Sequence, residues 1–184
     1  NQDKEMGFNG ARKHQKCEDP YYMYYADKLG LLVWGEMASS IKFSELSAWR
    51  DKNEWEQILK RDYNHPSIVA WVPLNESWGV DDINTDKRQQ QHALDLYNYI
   101  KSVDATRFVV GNDGWEQVIT DICAIHNYMH GKIDDISTQE KFRHDIGTLE
   151  ALLASTPANR PIYAKGYAYR GEPVLLTEFG GISY

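Results

Sequence analysis

The chain of 184 residues carries 20 basic and 27 acidic residues, a formal net charge of −7, with 42% hydrophobic residues and a mean hydropathy of −0.61. This composition supports one substantial core, and with no apolar run near the length of about 18 residues that a membrane helix needs, it excludes a helical membrane span. The charges are spread without long runs, so nothing recommends a nucleic-acid partner, and Cys17 and Cys123 are too few for a disulfide framework and lack metal-ligand spacing.

In chain order, strand and helix patterns alternate throughout. The opening "NQDKEMG" has no initiator Met and reads as the middle of a helix, so no leader is expected to be legible there. Gly7 to Arg12 is a short strand candidate. Asp19 then caps a helix with Pro20 at its first position and Gly30 closing it. Leu31 to Glu36 is the next strand, and Trp55, Ile58 and Leu59 mark the apolar face of a helix that must stop before Pro66. Ile68 to Glu76 is expected as a strand, followed by a helix from about Asp86 to Val103 striped by Ala93, Leu96, Tyr97 and Ile100. Strand Arg107 to Asn112, the short connection "WEQVI" and strand Ile122 to Tyr128 follow. Phe142, Ile146, Leu149 and Leu153 predict one further helix, and Val174 to Glu178 the last strand. Six strands joined by helical crossovers imply a parallel α/β sheet. An eight-unit barrel takes about 250 residues, so a chain of this length supplies about six units.

Two carboxylates stand out. Asn75-Glu76 in "WVPLNESWG" and Glu178 in "LLTEFGG" each end an apolar run, Ile68 to Leu74 and Val174 to Thr177, rich in Val, Leu and Ile and expected to be buried on both faces. In a barrel of parallel strands, groups at the C-terminal strand ends face one site, and two carboxyls across a sugar are what glycoside hydrolysis requires. One must be protonated to donate to the leaving oxygen and the other ionised to attack the anomeric carbon, so their surroundings must differ. Trp71, Pro73 and Trp78 flank Glu76 and are expected to give it an apolar setting. Six Trp and 12 Tyr fit a sugar, whose C–H faces stack on aromatic rings. His126 and His130 have an i, i+4 spacing but no Glu at the place a zinc helix would need, so no metal is expected. No phosphate loop, serine elbow or Cys-His nucleophile pair is visible, and no organic cofactor is implied.

The runs "GFNGARKHQKCEDPYYMYYADKLGLLVWGEM", "RDYNHPSIVAWVPLNESWG" and "PVLLTEFGG" closely resemble the catalytic barrel of glycoside hydrolase family 2, the family of β-galactosidases, β-glucuronidases and β-mannosidases. The resemblance spans nearly the whole chain and implies an incomplete TIM (β/α)8 barrel containing about strands two to seven, so that residues 1–184 are a partial catalytic domain. It implies Glu76 as acid/base and Glu178 as nucleophile, with Asn75 on the sugar 2-hydroxyl and Tyr128 on the nucleophile. It also matches His14 to a histidine of the sugar pocket. Trp34, Glu36, Trp78 and Trp115 are weaker substrate-contact candidates, and Glu36 has Arg12 and Lys13 as alternative partners. The activity implied is that of a retaining exo-β-glycosidase, β-galactosidase-like, with β-glucuronidase or β-mannosidase as alternatives and a truncated sugar-binding fragment as another. A barrel short of two strands leaves two unpaired edges, so a homo-oligomer or the missing strands of the parent protein are expected to cover them.

Overall fold

The computed structural model describes residues 2–132 and 134–180. Six strands run in chain order: β1 (Gly10–Arg12), β2 (Leu32–Glu36), β3 (Ile68–Val72), β4 (Phe108–Val109), β5 (Cys123–His126) and β6 (Val174–Glu178). The first four form one parallel sheet in the order β1-β2-β3-β4, and β5 pairs in parallel with β6. A parallel bridge between Gly114 and Ile125 joins the segment after β4 to β5, so the strands follow one another around the barrel.

Helices α1 (Gln2–Glu5), α2 (Pro20–Leu29), α3 (Glu45–Asp62) and α4 (Lys87–Val103) flank the first four strands. Their ends follow from local chemistry. Asp19 accepts from the Tyr21 N–H at 2.8 Å, and Gly30 closes α2 in the left-handed region at φ 65°. Ser44 and Ser47 cap α3 reciprocally, and Asp86 accepts from the Arg88 N–H to start α4. The apolar faces of α2, α3 and α4 meet the outer sheet face in one core that includes Met23, Val33, Trp55, Leu59, Trp71, Leu96, Ile100 and Val109. A second cluster comes from strands and their flanks alone, Val72, Val110, Ile122 and Ala124 with Trp34 against them, and fills the barrel interior.

Three expectations are corrected. The stripe Phe142, Ile146, Leu149 and Leu153 does not make one docked helix: Thr148 adopts φ −140° and splits it into α5 (Ile136–Gly147) and α6 (Leu149–Ala154), capping the second through its hydroxyl. Ile146 stays 38% and Leu149 47% exposed, and Leu152 is buried instead, against Cys123, Ile125 and Ile162. The expected strand Arg107 to Asn112 shortens to Phe108–Val109, because the backbone of the following loop lies against Gly111, where a side chain would run 2.0 Å from the Ile119 carbonyl oxygen. Finally β6 is not buried on both faces; it pairs with β5 alone among the described residues and leaves Leu175 exposed. No described helix is long and apolar enough to cross a membrane.

Candidate active site

Past its last ladder residue, β3 continues through a parallel bridge between Asn75 and Asp113, and the chain then turns sharply. Glu76 and Ser77 both take left-handed backbone, φ 51° and 58°, an uncommon pair for residues with side chains and one that the surroundings must hold. They are held densely. The Glu76 N–H donates to the Asp113 carbonyl at 2.8 Å, the Ser77 N–H to Asn112 Oδ1 at 3.0 Å, and the buried Ser77 hydroxyl to Glu116 at 2.6 Å. Arg160 donates to the same Glu116 oxygen at 2.6 Å.

This turn directs the Glu76 carboxyl toward β5 and β6. One oxygen of Glu76, one of Glu178 and a ring nitrogen of His126 lie within 4.8 Å of one another. Glu178, at the end of β6, is gripped by Arg12 from β1 at 2.5 Å through Oε1 and accepts a short hydrogen bond from the Tyr128 hydroxyl on Oε2. Tyr128 is 49% exposed, and burial of its hydroxyl together with the Glu178 charge pushes its pKa up to about 12, so it remains a donor at neutral pH. Asn75 is buried, accepts from Arg12 Nη2 at 3.1 Å through Oδ1, and keeps an amide Nδ2 with no protein partner.

Arg12 and Asp113 organise the floor. Arg12 reaches Glu36 at 3.0 Å, Asp113 at 2.8 Å and Glu178, and although burial opposes its charge, these three acids raise its pKa. Asp113 is fully buried; against the cost of burial, His126, Arg12 and the Thr177 hydroxyl at 2.6 Å hold its carboxyl below the ordinary range. His126 Nδ1 lies 2.8 Å from Glu76 Oε1, and Nε2 lies 3.2 Å from Asp113 and 3.4 Å from Glu178. Burial alone would depress the imidazole, but the bonds to Asp113 and Glu76 outweigh it and raise its pKa to about 9.

The remaining sequence candidates divide. His14 is near the pair, 2.5 Å from Arg12 Nη2 and 3.9 Å from Glu178, and Trp78 stands at the rim, 47% exposed. Of the alternatives for Glu36, the structure has the pairing with Arg12: the residue is buried and also accepts from the Gln15 N–H at 2.9 Å, while Lys13 pairs with Glu18. Burial raises its pKa despite Arg12. Trp34, on the same face of β2 as Glu36, packs against the interior cluster of Val72, Val110, Ile122 and Ala124. Trp115 is buried and stands edge-on to His126, 5.8 Å between centroids, so its face is not an open platform. The expected apolar setting of Glu76 is also corrected. Trp71 faces Trp55 in the outer core and donates to Asp104, whereas the Glu76 carboxyl meets an imidazole.

Arg12, Asp113 and His126 carry the geometry and were missed in the sequence. Their signal is weak but present: Arg12 ends a strand as Glu178 does, and His126 precedes Tyr128 by one strand period. His130 stacks edge-on with Phe142 instead of joining the site.

A profile of "Glycosyl hydrolases family 2, TIM barrel domain" matches residues 3–170. A β-galactosidase of Thermoanaerobacterium thermosulfurigenes is 26% identical over 98% of this chain and 21% of its own length, and a β-glucuronidase of Bacteroides fragilis is 27% identical over 68% and 19%. A β-D-glucuronidase structure from Dictyoglomus thermophilum superposes over 99% of this chain and 32% of that one with a TM-score of 0.73 at 17% identity, a likeness of fold. The chain spans 11 to 21% of the length of the first curated relatives it matches. A match that covers all but the ends, on parallel barrel strands that bring Glu76 and Glu178 together, establishes that this chain belongs to glycosyl hydrolases family 2 through its TIM barrel domain.

Proposed function

We propose that the chain provides the catalytic carboxyls of a retaining exo-β-glycosidase, β-galactosidase-like, with Glu178 as nucleophile and Glu76 as acid/base. The observation that carries this reading is the approach of the two carboxyls to within 4.8 Å of each other, the side expected for retention at about 5 to 5.5 Å rather than inversion at roughly 6.5 to 9.5 Å. Their partners differ. Glu178 is held by a guanidinium and a phenol, one on each carboxyl oxygen. Glu76 lacks the guanidinium and has one carboxyl oxygen outside the His126 contact.

In the first step the Glu178 carboxylate attacks the anomeric carbon while the proton of Glu76 moves to the glycosidic oxygen; the carbon–oxygen bond to the leaving group breaks and a glycosyl ester forms. In the second, Glu76 as carboxylate takes a proton from water, whose oxygen attacks the same carbon and frees Glu178. Arg12 and Tyr128 hold the nucleophile in place throughout. The unpartnered Nδ2 of Asn75 is suited to the sugar 2-hydroxyl, a bond that strengthens as positive charge builds on the ring.

A neutral sugar is favoured over a uronic acid because the cations at the pair, Arg12 and His126, are already committed to Glu36, Asp113, Glu76 and Glu178. Relatives that include β-glucuronidases supply the competing reading. Residues 1–184 act in this reading as part of the catalytic barrel domain, and the lateral edges of β1 and β6 are covered by other chain, from the same protein or a second copy. Gly181 of "TEFGG" and residues 182–184 lie outside the described residues. Release of nitrophenol from paired β-galactoside and β-glucuronide substrates by the protein that carries this chain tests the sugar: kcat/KM should be higher for the galactoside, and a preference for the glucuronide reverses the assignment.

A further inference from the structure

The two-carboxyl scheme gives no task to His126 or to the buried acid behind it, yet among the described residues the imidazole touches acid/base, nucleophile and Asp113 together. Its side chain is wholly buried at the end of β5, and its freedom is small. Asp113 stands 3.2 Å from Nε2 and is itself fixed by the Thr177 hydroxyl. Gly114, at φ 110°, leaves the space the ring occupies; a Cβ there would lie 2.8 Å from Nδ1. Trp115 closes the ring edge. Nδ1 therefore has one attitude, toward Glu76 Oε1 at 2.8 Å.

We propose, resting on the glycosidase reading above, that His126 is a positioning residue for the acid/base: its Nδ1–H takes up Oε1 of Glu76, so that Oε2 is the oxygen that carries the proton to the leaving group. Asp113, Gly114 and Trp115 keep the imidazole in that attitude. A carboxyl free to rotate would offer either oxygen, and a misplacement of about 1 Å at the reacting atoms can cost about 100-fold in rate. The raised pKa of His126, which its hydrogen bonds to Asp113 and Glu76 cause against the cost of burial, supports the same direction of donation. Arg12 Nη1, 3.2 Å from Nε2, does not compete for Glu76; it shares Asp113 with the imidazole.

The test compares leaving groups. In the protein that carries this chain, His126→Ala and His126→Asn are assayed on 2,4-dinitrophenyl and phenyl β-glycosides of the sugar the wild type cleaves, with folding checked by circular dichroism. Protonation matters only for the poor leaving group, so kcat/KM of His126→Ala should fall about 100-fold on the phenyl glycoside and less than about threefold on the dinitrophenyl one. His126→Asn, whose amide N–H can stand where Nδ1–H stood, should recover at least about tenfold on the phenyl glycoside. Equal losses on both substrates in a folded variant, or a folded Asn variant no better than Ala, overturn the inference while leaving the glycosidase reading intact. If Ala fails to fold, the Asn variant decides: parity with wild type on the dinitrophenyl glycoside supports the role, and a uniform loss refutes it. A wild type that cleaves neither glycoside overturns the glycosidase reading and this inference with it.

Discussion

The unit built from β3, α4 and β4 and the unit built from β5, α5, α6 and β6 each bring one carboxylate to the same pocket, but they are anchored very differently. Strand β3 is buried almost throughout, and α4 buries six residues, including Ala93, Leu96 and Ile100. Helix α5 buries none, and β6 keeps one face partly open. The difference reaches the carboxyls. Glu76 sits on a left-handed turn locked by Asn112, Glu116 and Arg160, whereas Glu178 ends a regular strand and takes its position from Arg12 and Tyr128 across the barrel. The acid/base candidate is thus fixed by local backbone, and the nucleophile candidate by partners on other strands. Stability and chemistry need not be concentrated in the same unit.

Core truncation on the helix that packs against the tight unit should have the largest effect. Trp55 on α3 is fully buried and packs edge-on against Trp71 of β3, 6.0 Å between centroids, so Trp55→Ala should cost about 4 kcal/mol by urea denaturation. A loss under about 1 kcal/mol would show that this unit is no better anchored than the other.

The contact between the units is pH-sensitive, and its sign can be worked out. The folded pKa of His126 is raised from 6.5 to about 9, so its contribution is full below pH 6.5 and is lost as pH rises through about 9. Wild-type stability should therefore decline by about 3 kcal/mol across that window, and His126→Gln should lack this decline. Parallel pH curves for the two proteins would mean that the imidazole is not held as a cation between Glu76 and Asp113.

The smallest effect should come from the loose unit. Ile146 on α5 is exposed despite its place in an apolar stripe, and Ile146→Ala should shift stability by no more than about 0.5 kcal/mol. A cost near that of a core residue would place α5 against a surface of its own.

Much of the tight unit was legible because its signals agree. The Asp86 cap, the period of Ala93, Leu96 and Ile100, and the β-rich run Ile68 to Val72 all point to one docking geometry. The stripe from Phe142 to Leu153 has the same period, but periodicity does not say that a face will be covered, and one threonine in extended backbone redirects it. Within the site, Glu76, Glu178, Asn75 and Tyr128 could be read as strand-end residues with chemistry of their own. Arg12, Asp113 and His126 carry a much weaker signal, because each matters through partners as many as 166 positions away, as with Arg12 and Glu178. Trp34 and Glu36 show the converse: strand ends supply inward and structural positions as readily as substrate-facing ones.

The central claim, that Glu178 is the nucleophile of a retaining reaction with Glu76 opposite it, is tested most directly by trapping the covalent intermediate. The protein that carries this chain is incubated with an activated 2-deoxy-2-fluoro β-glycoside of its sugar, digested, and mapped by mass spectrometry. The account predicts one fluoroglycosyl adduct, on the peptide containing Glu178 and absent from Glu178→Ala. An adduct on Glu76, or turnover of ordinary substrate to the α-anomer with no adduct at all, would contradict it.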